Sequence, residues 1–162
     1  MTEITKDKID LLSYNYSILK RLGCGDVDTF EQRLRSQKIQ YFAQLFGVTY
    51  RYKYNLYLHG PYSTELAHDL YYIKSAGITP DVGKLMPEKL EQRFLDLKKF
   101  IKKSTKELEL AATLHWLLKI VNLSEKDAKI KLNELKNNDK NQYNLALKAI
   151  KEYEQIKTNY SK

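Results

Sequence analysis

From Tyr50 to Leu58 the chain abandons the three- and four-residue apolar steps that pattern the rest of it. Tyr50, Tyr52, Tyr54, Leu56 and Leu58 alternate with Arg51, Lys53, Asn55 and Tyr57. That is the period of a half-buried strand, in residue types that favour extended backbone. A lone strand is not stable, so this one needs a partner. The other strand-like stretch nearby is Ile78 to Leu85, which Pro80 and Gly83 weaken. A short two-stranded ribbon is expected, with pairing to a second copy of the same strand as the alternative.

Around this segment the periodicity is helical. A first helix is predicted from Thr5 to Leu22, with the stripe Ile9, Leu12, Tyr16 and Leu19. Asp28 or Thr29 can cap a second helix from Phe30 to Phe46, closed by Gly47. The segment His59-Gly60-Pro61-Tyr62-Ser63 follows the strand. Gly60 and Pro61 are expected to turn the chain, Tyr62 to staple onto Ala67, and Ser63 to cap a third helix reaching Ala76. Pro87 opens a fourth helix with the stripe Leu90, Phe94, Leu97 and Ile101. The fifth, from Thr105 to Val121, is apolar almost all round and should be the most buried. Ser124 caps a sixth carrying Ala128, Leu132 and Leu135, and a seventh runs from Asn141 to about Lys157. The last residues, Thr158 to Lys162, are expected to fray.

The chain of 162 residues suits one packed domain. Its halves are a helix–strand–turn–helix core (1–86) and a lysine-rich helical half (87–162). The single cysteine, Cys24, excludes an internal disulfide and suits a reducing compartment. Met1 to Asp10 has no apolar signal segment, and Leu108 to Val121 is too short and too often interrupted to span a membrane. A cytoplasmic, soluble protein is expected. The net charge is +8, and residues 87–162 hold 17 basic against 11 acidic residues. Only five of the 28 basic residues are arginines. A lysine excess of this kind reads first as a solvated surface.

No catalytic constellation is visible. Ser63 and His59 are the one serine–histidine pair close in sequence, and capping accounts for Ser63. His59, His68 and His115 lie on different predicted elements, so no short zinc spacing arises, and His115 reads as a core histidine. The six glycines form no phosphate-cradling loop. Catalytic, cofactor-binding and metal-binding residues are therefore all read as none. A strongly perturbed titratable residue in a deep pocket would point to an enzyme instead.

Two binding surfaces remain. Lys98, Lys99, Lys102, Lys103 and Lys106 recur at three- and four-residue steps and are candidates to follow a phosphate backbone. Thirteen tyrosines, a residue over-used at interfaces, concentrate around the strand. Arg51, Lys53, Tyr57, His59 and Tyr72 are the candidate partner-binding residues. The order helix–strand–turn–helix–strand also invites a winged-helix reading of the first half. The outward face of its recognition helix would show Glu65, His68, Asp69 and Tyr72, an acidic surface for a DNA groove.

Residues 34–47, Leu-Arg-Ser-Gln-Lys-Ile-Gln-Tyr-Phe-Ala-Gln-Leu-Phe-Gly, are followed by the strand and then by Gly60-Pro61-Tyr62-Ser63-x-Glu65-Leu66-x-x-Asp69-Leu70. This succession resembles the YwgA-like family of bacterial and archaeal proteins and, more distantly, the Panacea (SocA-like) antitoxin domain. Lys106 to Leu114 is similar to a further helix of that pattern. His59, where relatives often carry an aromatic, and Arg35-Ser36 depart from it. The resemblance implies a compact helical domain with a small β element and no known enzyme activity. On the Panacea side it implies binding and neutralising a protein partner, or acting as an adaptor.

The expectation is a mainly α fold: a compact domain of about seven helices, a small two-stranded β element and a winged-helix-like N-terminal half. Its expected role is non-enzymatic regulation through a protein partner, a toxin or regulatory target, without a cofactor or a membrane. A DNA-binding regulator is the alternative, and a homodimer is compatible with either.

Overall fold

The computed structural model describes residues 6–49, 52–79, 87–137 and 139–161. Among the described residues seven α-helices are formed: α1 (Lys6–Arg21), α2 (Phe30–Leu45), α3 (Thr64–Ala76), α4 (Glu88–Phe100), α5 (Thr105–His115), α6 (Glu125–Leu135) and α7 (Lys140–Thr158). Between α2 and α3 lies an antiparallel hairpin of β1 (Asn55–Tyr57) and β2 (Gly60–Tyr62). The fold is therefore mainly α, with one two-stranded element among the described residues. None of the described helices is long and apolar enough to cross a membrane.

The capping residues act as their chemistry dictates. Thr29 and Gln32 form a full capping box at α2. Ser63, Ser104, Ser124 and Asp139 cap α3, α5, α6 and α7. Gly77 ends α3 in the left-handed conformation. Thr5, proposed to cap α1, lies outside the described residues. Ile9, placed on the buried stripe of α1, is exposed, whereas Leu12 and Leu19 are buried.

Three expectations are corrected. The ribbon partner is Gly60–Tyr62, not Ile78 to Leu85, of which residues 80–86 lie outside the described residues. The register pairs Asn55 with Tyr62, Leu56 with Pro61 and Tyr57 with Gly60. Leu58 and His59 thus form the turn, while Gly60 and Pro61 belong to the strand. Local pairing wins because a two-residue loop closes at far smaller entropic cost than a long one. Tyr62 stacks edge-on against Tyr57, its neighbour across the hairpin, at 5.7 Å between ring centroids.

Second, the fifth helix does not continue as α-helix to Val121. After His115 it widens into a π-helical turn, Trp116–Ile120, and Ile120 and Val121 are exposed. Third, the C-terminal residues described do not fray. Asn159–Ser161 form a 3-10 turn, the Tyr160 hydroxyl donates to Asp96 Oδ2 at 2.9 Å, and the Arg93 guanidinium lies over the Tyr160 ring.

α5 is the central helix and packs against α2, α7 and β2. Phe42, Phe46, Phe100 and Tyr153 interlock at centroid separations of 4.8 Å (Phe42–Phe100), 5.4 Å (Phe46–Tyr153) and 5.5 Å (Phe46–Phe100). Each such ring, fully buried, contributes roughly 2–3 kcal/mol of transfer free energy. Ser36, Gln37, Lys38 and Gln40 of α2 are buried too, and polar side chains of this helix tie down neighbouring segments. Ser36 Oγ accepts from Gly25 N, and Gln40 Nε2 donates to Thr49 Oγ1. Arg35 donates to the Ile101 and Lys103 carbonyls at the end of α4.

Candidate functional site

The hairpin is fastened to the helices by buried polar side chains. Gln37 Nε2 donates to the Ser63 carbonyl, and Ser63 N donates to Gln37 Oε1. Lys38 is 0 % exposed, and its ammonium donates to the Pro61 carbonyl. Lys136, at the end of α6, donates to the Leu58 carbonyl at 3.3 Å and pairs with the buried carboxylate of Glu109. His59 Nδ1 and Lys106 Nζ lie 3.9 and 3.8 Å from the same carboxylate. A buried carboxylate demands such compensation, because an unpaired one would cost several kcal/mol of desolvation.

Gly60 explains why this seat accepts only one residue type. Its φ is +84°, and an added Cβ would lie 2.5 Å from Thr113 Oγ1. Close approach to α5 and positive φ both require glycine here. Ser63 Oγ is buried as the acceptor of Leu66 N at 3.1 Å, so capping occupies the hydroxyl and no catalytic pair with His59 forms.

Above this seat the hairpin tip and the N-terminal half of α2 enclose a cavity of about 260 Å³. Phe30, Leu34, Tyr57 and Tyr62 supply apolar walls, and Arg33 and His59 supply the basic groups. Phe30 meets the His59 ring edge-on at 5.2 Å. Leu58 is 81 % exposed, Phe30 56 % and Tyr57 51 %. Leu58 is the last residue of the alternation that predicted the strand. It faces outward because the turn begins there and the alternation stops.

Burial pulls the Lys38 amine down to about 7, against the attraction of Glu109 and with the repulsion of Lys136. A lysine so perturbed beside a cavity is where a nucleophile would be sought. Its amine, however, has no exposed surface and is spent on the Pro61 carbonyl. The perturbation is the consequence of anchoring the hairpin.

Of the candidate partner-binding residues, Tyr57 and His59 line this cavity. Lys53 is exposed but lines a different cavity, on the side of the hairpin facing the π-turn. Tyr72 is exposed on α3 and is not part of the cavity wall. Arg51 lies outside the described residues. In the lysine stripe, Lys98, Lys99, Lys102 and Lys106 are exposed. Lys103 is not free: its amine donates to Glu152 Oε2 and to the Phe100 carbonyl, both at 2.8 Å, and sits over the Phe100 ring. Among the described residues no three His, Cys, Asp or Glu side chains converge as a metal site.

Sequence reasoning missed Phe30, Arg33, Lys38, Glu109 and Lys136. Phe30 carried a signal, a large apolar residue in the first turn of a helix, away from the inward stripes. Lys38 carried a fainter one, a charge between Gln37 and Ile39 in a helix whose flanks are apolar. Glu109 and Lys136 meet only in the tertiary structure. Compared with known proteins, the chain matches no family model, no curated protein and no solved structure.

Proposed function

We propose that the protein is a non-enzymatic, protein-binding regulator or adaptor that docks its partner on the hairpin-tip surface. The observation that carries this reading is the group of Leu58, Phe30 and Tyr57, each more than half exposed, around one cavity. Isolated exposed apolar residues are ordinary; three together at the mouth of an apolar cavity mark an interaction surface. The volume of about 260 Å³ falls below the roughly 300–1,000 Å³ of small-molecule sites and suits one partner side chain. Arg33 and His59 in its walls favour an apolar anchor with acidic neighbours. A toxin or a regulatory target fits this description, the former in line with the Panacea-like pattern of α2 and Gly60 to Ser63.

Cross-linking in host cells followed by purification tests the reading. The expected result is one stoichiometric protein partner held by the native chain and lost on Leu58→Asp, a surface change that leaves thermal unfolding unaltered. Failure to recover such a partner, or its equal retention by Leu58→Asp, would overturn it.

The second reading is a DNA-binding regulator with a winged-helix-like core. Lys98, Lys99 and Lys102 support it, because they are exposed and form no ion pair among the described residues. It requires duplex binding that weakens steeply with salt and is lost on exchanging these three lysines for glutamate. Unchanged binding by that variant would remove the lysine face from consideration.

A further inference from the structure

The two strands of the hairpin differ at their outer edges. β2 packs against α2 and α5, and side chains of α2 close its edge: the Pro61 carbonyl accepts from Lys38, and Ser63 exchanges two bonds with Gln37. β1 has β2 as its main neighbour. Asn55 and Tyr57 are exposed and Leu56 is half-buried.

The register decides where the polar groups of β1 point. Leu56 faces Pro61 in the ladder. Facing residues of an antiparallel pair either exchange both backbone bonds or turn all their polar groups outward. Pro61 has no N–H to give, and its carbonyl is held by Lys38 on the far side, so this pair is of the second kind. The N–H and C=O of Leu56 therefore point away from β2, and neither is hydrogen-bonded among the described residues. Side chains close the edge on both sides of it: Gln44 exchanges two bonds with the N–H and C=O of Tyr52, and Lys136 donates to the Leu58 carbonyl. Leu56 is left open between them, and an open strand edge templates a further strand.

Charge selects the occupant. Exposure alternates from Tyr52 to Tyr57, so Lys53, Asn55 and Tyr57 share the outer face. Lys53 forms no ion pair among the described residues. Residues 52–63 contain no carboxylate, and Glu109 beneath the turn is buried and paired with Lys136. A second copy of β1, added about a two-fold axis through Leu56, would set Lys53 opposite His59 and bring no carboxylate to either. A foreign strand carrying an acidic residue supplies the missing partner, as opposite charges across a ladder favour pairing.

We propose that β1 accepts an extended acidic segment of a partner protein as an added antiparallel strand. One residue of that segment exchanges both backbone bonds with Leu56. The residue before it is apolar and lies beside Tyr57, and the residue three positions after it is acidic and faces Lys53. The proposal rests on the reading of the hairpin as a docking surface and specifies what docks there.

The probe is a fluorescein-labelled, C-amidated peptide, Thr-Val-Ile-Thr-Ser-Glu-Thr, whose Ile is the residue paired with Leu56. Saturable anisotropy is expected, with protection of the Leu56 amide from hydrogen exchange. N-methylation of the Ile nitrogen, which removes an edge bond and keeps every side chain, should weaken binding at least about tenfold. N-methylation of the following Thr, whose N–H points away from β1, should leave it within about twofold. Lys53→Glu should weaken the peptide severalfold, and replacing its Glu by Lys should restore binding to that variant. Leu56→Pro, which removes the outward N–H and spares the hairpin ladder, should abolish binding in a chain whose circular dichroism is unchanged.

No saturable response up to roughly 1 mM would overturn the proposal. So would equal affinity for the two methylated peptides, unchanged affinity in Lys53→Glu, or a stable dimer of the native chain that Leu56→Pro dissociates, which would give the edge to a second copy. A host partner lost on Leu58→Asp but held equally by Leu56→Pro would overturn the added strand and leave the docking surface standing.

Discussion

The Gln37 carboxamide and the Ser63 peptide group exchange two hydrogen bonds of 2.9 Å each, both buried, and so join the middle of α2 to the cap of α3. With the neighbouring bond from Lys38 to Pro61, this places the two most recognisable stretches of the chain face to face. Gln37→Leu removes both bonds and strands a buried N–H and a buried C=O. The expected destabilisation is about 2–4 kcal/mol, read from urea unfolding.

Gly60 should be irreplaceable even by alanine. The added methyl meets Thr113 Oγ1 at 2.5 Å, and φ of +84° strains any L-residue. Gly60→Ala is expected to cost about 2–4 kcal/mol. In a double-mutant cycle, Thr113→Ala should restore the steric part of that loss and leave the backbone part. Strict additivity of the two changes would show that the clash is not the cause.

Lys38 predicts a rise of stability with pH. Its amine titrates near 7 in the folded chain and near its ordinary 10.5 when unfolded. Between those values the unfolded state binds more protons, so raising the pH stabilises the fold. The penalty is complete below pH 7 and is relieved toward pH 10, at up to about 1.4 kcal/mol per unit. Unfolding midpoints measured from pH 7 to 10 should rise for the native chain relative to Lys38→Met, in which the slope from this group is gone. Using the difference between the two proteins cancels the tyrosines, which titrate at the top of that range.

His115 predicts the acid limb. Its folded value of about 4 lies below the ordinary 6.5, so the unfolded state takes up the proton first as the pH falls. About 3 kcal/mol should be lost between pH 6.5 and 4, all of it present above 6.5. His115→Phe should flatten this part of the stability profile, measured by chemical unfolding at each pH.

Cys24 should be unreactive in the folded protein. It is buried, and desolvation pushes its thiol up to about 12. A thiol reagent such as dithionitrobenzoate should label it at the rate of global unfolding, and rapid labelling in native buffer would contradict this burial.

Reading the chain residue by residue, what periodicity encodes is what came through. The seven helices and the caps at Thr29, Ser63, Ser104 and Ser124 are local events, set by side chains within four residues of the groups they satisfy. The candidate site was half legible. Tyr57 and His59 stood out because they flank a break in pattern. Leu58 closed the predicted alternation, but alternation cannot say where a strand stops, and the turn begins at this residue. Lys103 looked like its neighbours, and only the arrival of Glu152 from α7 distinguishes it.

By itself the sequence determined the helical architecture, the presence of a short β element and the need for a tight joint at Gly60 to Ser63. These follow from hydrophobic period, backbone restriction and capping, all short-range. Tertiary structure alone decided that β1 pairs with the segment just after it, that the polar stripe of α2 points inward, and that α5 loosens into a π-turn behind His115. Each of these depends on which distant group arrives to satisfy a buried donor or acceptor: Ser63 for Gln37, Glu109 for Lys136, Tyr41 for His115. A polar side chain carries no mark in the sequence of whether water or another residue will be its partner, and packing makes that choice.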